Sequence, residues 1–225
     1  MINKTDAMRS MFNLQNQLNC VVNENWIELN REWYRAAWIE GAELMEHVGW
    51  KWWKKQSPNR GQAFMEMVDI FHFAISDTIQ RKGLSEETIA GCVKSLESAE
   101  LINPVKDDVE PAIVLKTLER FCGSIITSEK IDMFDFFTLM NLFGFTFEDL
   151  YYNYVGKNVL NIFRQDNGYK SGEYIKVWFN EEDNIHLEKS IESIRQLDGV
   201  VNLPEVLYKA LDTIYQKVLT TTIAV

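Results

Sequence analysis

Two stretches of the chain decide its fold: residues 31–49, which read REWYRAAWIEGAELMEHVG, and residues 62–83, which read QAFMEMVDIFHFAISDTIQRKG. In both, apolar residues recur at three- and four-residue steps, the spacing of one face of an α-helix. Gly49 and Gly83 follow the last apolar position of each stretch, where a glycine commonly ends a helix. The pattern therefore predicts two long helices, near 31–48 and 62–82.

The rest of the chain continues the helical pattern. Only four prolines and eleven glycines occur in the 225 residues, and the alternation typical of strands is scarce. Further helices are predicted near 6–22, 85–100, 109–127, 130–143, 146–164, 185–197 and 203–219. Residues 165–183 have no clear period and are predicted to form a long irregular segment. The predicted fold class is all-α, a helical bundle in a single domain over 1–225, with residues 82–145 as a candidate helical subdomain.

The charge of the chain limits what it can bind. Lys and Arg total 23 and Asp and Glu total 33, which gives a net charge of −10 and no broad basic face for a nucleic-acid polymer. No apolar run approaches the ~20 residues of a membrane span, and residues 1–10 lack the apolar core of a signal peptide. The three widely spaced cysteines include no CxxC pair, so neither a zinc site nor a disulfide framework is predicted. We expect a cytoplasmic protein that binds neither nucleic-acid polymers nor membranes.

Each of the two deciding stretches carries two carboxylates three residues apart. Glu40 and Glu43 form the first pair, and Glu66 and Asp69 form the second. Residues at i and i+3 share a helix face, and both pairs lie among apolar residues, where an unpaired carboxylate is costly to bury. Antiparallel packing of the two helices would aim four carboxylates at one point, where they repel unless a cation such as Mg²⁺ neutralises them. The alternative for either pair alone is an ordinary solvated face. Glu46 continues the first stripe.

Cationic side chains gather in two short segments, residues 50–55 and residues 157–170. In the second, Lys157, Asn161 and Arg164 recur at four- and three-residue steps and so line one face of a predicted helix. Cations and amide donors on one face suit a chain of phosphates, which Arg can grip through two nitrogens. The alternative is ordinary solvation of a helix surface.

Aromatic and amide residues near the N-terminus suggest a nucleobase contact less directly. Six of the seven tryptophans lie between Trp26 and Trp53. Large aromatic residues usually fill a core, although a cluster beside lysines also suits base stacking. Gln15 and Asn19 are placed to read the edge of a base, but their spacing alone favours ordinary surface amides. His72 is interpreted as a substrate contact or a core histidine rather than a metal ligand, because Mg²⁺ prefers oxygen.

At these residues the sequence resembles the dimeric, all-α dUTP pyrophosphatases of the all-α nucleoside triphosphate pyrophosphohydrolase superfamily. The superfamily pattern is ExxE followed a few tens of residues later by ExxD. More specific strings are GWKWWKK at 49–55, VDIFHF at 68–73 and YVGKNVLNIFRQDNGY at 154–169, with a weaker match, LQNQLN, at 14–19. The resemblance covers residues 15–25, 33–76 and 150–178. Related strings occur in phage enzymes that hydrolyse both dCTP and dUTP.

The resemblance implies an enzyme, a dUTP diphosphatase that converts dUTP to dUMP and pyrophosphate, with a dual dCTP/dUTP pyrophosphatase as the alternative. It implies two or three Mg²⁺ ions per site, with Mn²⁺ as an expected substitute. The implied metal ligands are Glu40, Glu43, Glu66 and Asp69, of which Glu40 and Glu43 are the catalytic candidates. Phosphate binding is implied for Lys54, Lys157, Asn161 and Arg164, and more weakly for Lys51 and Lys170. Contact with the base or sugar is implied for Gln15, Asn19, Trp50, His72 and Asn158. A homodimer and a lid formed by residues 165–178 are also implied.

Two other functions are compatible with parts of the sequence. A carboxylate-bridged di-iron or di-manganese bundle uses ExxH motifs, and that spacing occurs, with Asp in place of Glu, at 69–72 and 183–186. The chain has only three histidines, which counts against this function. A non-catalytic helical interaction protein is the second alternative. The presence of all four carboxylates together with the stripe of Lys157, Asn161 and Arg164 counts against it.

Overall fold

The structure, a computed structural model, describes residues 2–105, 109–197 and 202–223. Over these residues the chain forms nine α-helices and one small two-stranded sheet, which confirms the all-α class. The helices are α1 (Lys4–Val22), α2 (Trp33–Val48), α3 (Arg60–Lys82), α4 (Glu86–Ile102), α5 (Pro111–Ser128), α6 (Met133–Leu142), α7 (Phe147–Asp166), α8 (Asp183–Arg195) and α9 (Leu203–Ile223). Among the helices of the described residues, none combines the length and the apolar character of a membrane span.

Local chemistry sets the helix ends where the sequence predicts them. Gly49 and Gly83 end α2 and α3 with φ of 86° and 78°, values that glycine adopts without steric cost. Ser85 caps α4 by accepting the N–H of the third helical residue. At the start of α7, Oγ1 of Thr146 accepts the N–H of Asp149 at 3.1 Å, and Oδ2 of Asp149 accepts the N–H of Thr146 at 3.0 Å. This is the predicted capping box.

The segment 165–183, predicted to be long and irregular, contains a short β-hairpin that the sequence did not predict. Its strand β1 (Val177–Trp178) pairs antiparallel with β2 (Glu181–Glu182). Phe179 and Asn180 between them have φ of 49° and 69°, the positive values that a tight two-residue hairpin requires. A strand of two residues is too short to show alternation, so its sequence carries no periodic signal.

The pattern of contacts divides the chain into two compact units, the first ending at Tyr151 and the second beginning at Tyr152. Helices α1 to α6 belong to the first unit, whereas the hairpin, α8 and α9 belong to the second. The boundary falls within α7, whose first turn counts with the first unit. The single domain over 1–225 and the subdomain at 82–145 stay predictions.

The first unit is built around α2 and α3, which pack antiparallel and share the most extensive helix–helix contact in the described part of the chain. Trp33 in the first turn of α2 stacks on Phe73 of α3, with ring centroids 6.3 Å apart. Helix α5 also lies against α2, and Gly41 permits the close approach, because a Cβ at that position would lie 2.6 Å from Sγ of Cys122. These contacts fix the two carboxylate-bearing helices in register.

The second unit has an aromatic core. The Tyr215 ring of α9 lies 5.4 Å from Phe163 of α7 and 5.3 Å from both Trp178 and Tyr174. Phe163, Trp178 and Tyr215 are all buried. Because these rings come from α7, from the hairpin and from α9, the core ties the irregular segment to two helices.

Candidate active site

Three of the four predicted metal ligands come together between α2 and α3. Glu40, Glu43 and Glu66 each offer one carboxylate oxygen, and these oxygens all lie within 4.8 Å of one another. Glu43 is exposed, whereas Glu40 and Glu66 are half-buried. Asp69 is half-buried one turn further along α3 and is not one of the three. The i,i+3 spacing and the antiparallel packing therefore produce most of the predicted cluster.

The donor set of this cluster fits a hard divalent cation. It consists of carboxylates without a thiol or imidazole, the ligand type that Mg²⁺ and Mn²⁺ prefer. Mg²⁺ binds oxygen at about 2.1 Å, so ligands on opposite sides of one ion lie about 4.2 Å apart. Two unit negative charges at such a distance repel by about 4 kcal/mol in a partly solvated site. The cluster is therefore suited to a cation that removes this repulsion.

His47 is a neighbour of the cluster that sequence reasoning missed. Its Nε2 lies 3.4 Å from Oε1 of Glu66. His47 follows Glu43 by four residues, so the two share a face of α2. This four-residue spacing is the sequence feature that could have predicted His47 near the cluster.

Gln15 and Asn19 are buried, with 4% and 7% exposure, so the expectation of surface amides is wrong. Gln15 donates through Nε2 to Asn19 at 3.0 Å, and Asn19 donates through Nδ2 to Oγ of Ser76 at 3.0 Å. His72 donates through Nδ1 to Oε1 of Gln15 at 2.7 Å. The network joins α1 to α3 and makes His72 a hydrogen-bonded, buried histidine. Ser76, four residues after His72, was not predicted.

Glu46 organises the loop that follows α2. Its carboxylate accepts hydrogen bonds from Nε1 of Trp50 at 3.0 Å and from Nζ of Lys51 at 2.5 Å. The Lys51 bond is the main reason that the pKa of Glu46 is lowered. The N–H of Lys51 also donates to Oε1 of Gln56 at 2.6 Å, which closes the loop. The ammonium of Lys51 is thus paired within the loop.

The tryptophans divide into core and surface residues. Trp26 is 2% exposed and fills the core, as large aromatics usually do. Trp50, Trp52 and Trp53 are 39%, 88% and 55% exposed, so the core interpretation is wrong for them. Lys54 beside them is exposed as well. Residues 50–55 therefore present aromatic rings and an ammonium group to solvent.

Within the predicted stripe on α7, two residues that are three positions apart are in contact, as their spacing predicts. Nη1 of Arg164 donates to Oδ1 of Asn161 at 3.4 Å. Lys157 lies one turn before Asn161 and is half-buried, while Lys170 beyond the helix is exposed. These side chains are placed along α7 and its extension as the sequence predicts.

Asn158 is fully buried next to this stripe. Neither its Nδ2 nor its Oδ1 has a hydrogen-bond partner among the described residues. A buried polar group left unsatisfied costs about 1–3 kcal/mol. The amide is therefore suited to a ligand that supplies the missing donor and acceptor.

Arg164 has a partner that sequence reasoning missed. Its Nε and Nη2 each donate to one carboxylate oxygen of Asp183, both at 2.8 Å, and Asp183 is fully buried. Burial lowers the pKa of the Arg164 guanidinium, but the hydrogen bonds to Asp183 outweigh it, so the pKa is raised overall. The two residues lie 19 positions apart across an irregular segment, so no helical or strand period relates them.

The alternative of a di-iron or di-manganese centre is disfavoured by these partners. Asp183 is committed to Arg164, and His186 donates through Nε2 to the carbonyl of Trp178 at 2.9 Å. Because Asp183 already neutralises Arg164, the spacing at 183–186 offers no uncommitted carboxylate to a metal ion.

A family model described as dUTPase matches residues 7–169, which is more than half of the chain. The matched range runs from α1 to just past the end of α7. It contains every predicted site residue except Lys170. No curated protein matches the chain.

Proposed function

The chain belongs to the dUTPase family and is therefore a dUTP diphosphatase, and from this premise we propose that its hydrolysis of dUTP to dUMP and pyrophosphate depends on Mg²⁺. The observation that carries the proposal is the cluster of Glu40, Glu43 and Glu66, whose oxygens lie within 4.8 Å of one another. A triphosphate brings about four more negative charges, which repel such a cluster unless cations intervene.

We assign metal binding to Glu40 and Glu43 of α2 and to Glu66 of α3. Asp69, which is also on α3, is the proposed fourth ligand. These carboxylates would hold two or three Mg²⁺ ions per site, which would lower the pKa of a coordinated water and stabilise charge on the attacked phosphoryl group. Mn²⁺ is expected to replace it, since its ligand preference is similar. Glu40 is half-buried and is the proposed acceptor of the proton that the attacking water loses.

Phosphate binding is proposed for Lys157, Asn161 and Arg164. The assignment is supported by the motif at 154–169 and by the arrangement of these side chains along α7 itself. Their positive charge and amide donors stabilise charge that spreads over the phosphate oxygens in the transition state. Lys54 is exposed and joins this set, with Lys170 and Lys51 as weaker members.

Contact with the base or sugar is proposed for Gln15, Asn19, Trp50, His72 and Asn158. Asn158 has the strongest physical support, because both of its amide atoms lack partners among the described residues. Trp50 is 39% exposed and held by Glu46, so its ring is ordered and accessible for stacking. The network from Gln15 to Ser76 supplies rigid amides whose orientation is fixed before a nucleotide arrives.

A homodimer is the assembly that the family resemblance implies, and we keep it as a proposal. Phe136, Phe137, Phe145 and Phe147 are buried within the chain and cannot form the interface. Trp38 and Ile39 on α2 are 44% and 48% exposed and are available for it. Sedimentation over a range of protein concentrations measures the assembly, and a monomer at all of them would remove the proposal.

Release of pyrophosphate from a nucleotide panel tests the proposed function. Purified protein is supplied with dUTP, dCTP, dTTP or their ribose forms, in Mg²⁺, in Mn²⁺ or in excess chelator. We expect dUTP to be hydrolysed fastest, Mn²⁺ to support turnover, and chelator to abolish it. Equal turnover with and without chelator would refute the metal dependence. Equal rates on dCTP and dUTP would replace the proposed specificity by the dual one.

A further inference from the structure

Two of the three guanidinium nitrogens of Arg164 are hydrogen-bonded to one buried carboxylate. Nε and Nη2 face the two oxygens of Asp183, both at 2.8 Å. Nη2 donates a second hydrogen bond, to Oδ1 of Asn184 at 3.3 Å. The Arg164 side chain is 16% exposed and that of Asp183 is fully buried. Nη1 carries two N–H groups and donates one of them to Oδ1 of Asn161 at 3.4 Å, so its other N–H is the donor left for a ligand.

Asp183 also fixes the irregular segment between α7 and α8. The phenol of Tyr174 donates to Oδ2 of Asp183 at 2.8 Å. The Tyr174 ring stacks on Tyr215 of α9, with centroids 5.3 Å apart. The N–H of Asp183 donates to the carbonyl of Lys176 at 3.0 Å. The buried carboxylate of Asp183, at the first position of α8, therefore binds both Arg164 and Tyr174.

We propose that Asp183 is a positioning residue for triphosphate binding, an inference that rests on the proposed function. It holds the Arg164 guanidinium so that Nη1 faces a phosphate together with Asn161. An unrestrained arginine side chain loses rotational freedom about several bonds when it binds a ligand, which costs conformational entropy. A carboxylate that orders the side chain in advance removes that cost from the binding step. Arg164 accordingly meets a phosphate through one nitrogen, not through the two that the sequence analysis expected.

Tyr174 connects Asp183 to the segment 165–178, which the family resemblance implies is a lid. Its phenol shares Oδ2 of Asp183 with Nε of Arg164. Burial, together with this hydrogen bond, raises the pKa of Tyr174 far above its ordinary value, so the phenol stays a donor throughout the neutral range. Removing only the hydroxyl loosens Asp183 without leaving a buried charge unpaired.

Steady-state kinetics on four variants tests the proposal. The variants are Asp183→Asn, Tyr174→Phe, Arg164→Lys and the matched control Tyr208→Phe, whose hydroxyl bonds to Asp166 and not to Asp183. We expect Asp183→Asn to raise the KM for dUTP about tenfold, the equivalent of one charge-assisted hydrogen bond. Tyr174→Phe is expected to raise it about threefold and Tyr208→Phe to leave it unchanged. Affinity for deoxyuridine, which has no phosphate, should stay within twofold in all four.

A double variant separates positioning from general support of the fold. If Asp183 acts through Arg164, then Asp183→Asn adds nothing to the KM of Arg164→Lys. Losses that multiply in the double variant overturn the proposal. So does a fall in deoxyuridine affinity equal to the fall in dUTP affinity.

The remaining outcomes also decide. Should Asp183→Asn fail to fold, the comparison of Tyr174→Phe with Tyr208→Phe carries the test, and equal KM values overturn the proposal. Wild-type protein that does not hydrolyse dUTP overturns the proposed function and this inference with it. An active wild type whose folded variants keep its KM overturns the inference alone.

Discussion

Gly41 stands between the two glutamates of α2, and replacing it by alanine tests how tightly α2 and α5 are packed. The new Cβ would lie 2.6 Å from Sγ of Cys122 and 4.0 Å from Cδ1 of Leu118. Ordinary contact needs about 3.5–4.0 Å, so the alanine methyl and the sulfur must separate by about 1 Å. Cys122 is buried on a helix, where few side-chain rotamers are open to it. The helices therefore have to shift.

Two opposing terms set the expected size of the effect. Overpacking by one methyl group in a filled core costs about 2 kcal/mol. Alanine in place of glycine inside a helix stabilises by about 1 kcal/mol. Gly41→Ala should therefore lower the free energy of unfolding by about 1 kcal/mol. In Gly41→Ala/Cys122→Ala the sulfur is gone and its space receives the new methyl, so stability should return to about the wild-type value. Because α2 carries Glu40 and Glu43, the single variant should also slow turnover.

Guanidinium-induced unfolding, followed by far-UV circular dichroism at one fixed protein concentration, measures this change. Gly123→Ala on α5 is the matched control, because a Cβ there meets nothing within 4 Å. It should stabilise by about 0.5–1 kcal/mol. Close packing of α2 on α5 at Gly41 is refuted if Gly41→Ala proves as stable as Gly123→Ala, or if removing the Cys122 sulfur does not restore its stability.

Three further predictions concern thiols and a helix cap. Exposed Cys20 should react with a thiol reagent at pH 8 at the rate of a free thiol. Cys92 and Cys122 should react only on unfolding, because burial raises the pKa of each thiol to about 11. Equal reaction rates for all three cysteines would contradict this prediction. Because unfolded thiols lose their protons near pH 9 and the folded ones near pH 11, these two cysteines should make the free energy of unfolding fall as pH rises between those values. Replacing both by Ala should flatten that fall, and an unchanged slope would argue against the shifted pKa values. Thr146→Ala removes one half of the capping box with Asp149 and should cost about 1 kcal/mol, or about 2–4 °C in Tm, while Thr146→Ser should keep the wild-type Tm.

The carboxylate cluster was predictable because every step toward it is local. The i,i+3 spacing places Glu40 beside Glu43, and terminal glycines bound the two helices that face each other. Antiparallel packing of consecutive helices, which the loop at 49–59 joins, then brings Glu66 within reach. The fold class followed from the same helical period.

Contacts between distant segments were not predictable in this way. The bond from His72 to Gln15 joins residues 57 positions apart and depends on how α1 lies on α3. Arg164 reaches Asp183 across a segment without any period. An amide or cation on an amphipathic helix looks the same in sequence whether water or a buried partner satisfies it. For that reason the sequence pattern favoured a surface position for Gln15 and gave no signal for the carboxylate that holds Arg164.

One rate comparison tests most directly the proposal that the carboxylates of α2 and α3 make hydrolysis of dUTP by this chain depend on Mg²⁺. Pyrophosphate release from dUTP at saturating Mg²⁺ is measured for Glu43→Gln and for Glu119→Gln, an exposed glutamate on α5. Glu43→Gln keeps the shape of the side chain but removes its charge, so the rate should fall at least ~100-fold. Glu119→Gln should turn over as the wild type does. A folded Glu43→Gln variant with the wild-type rate would contradict the account.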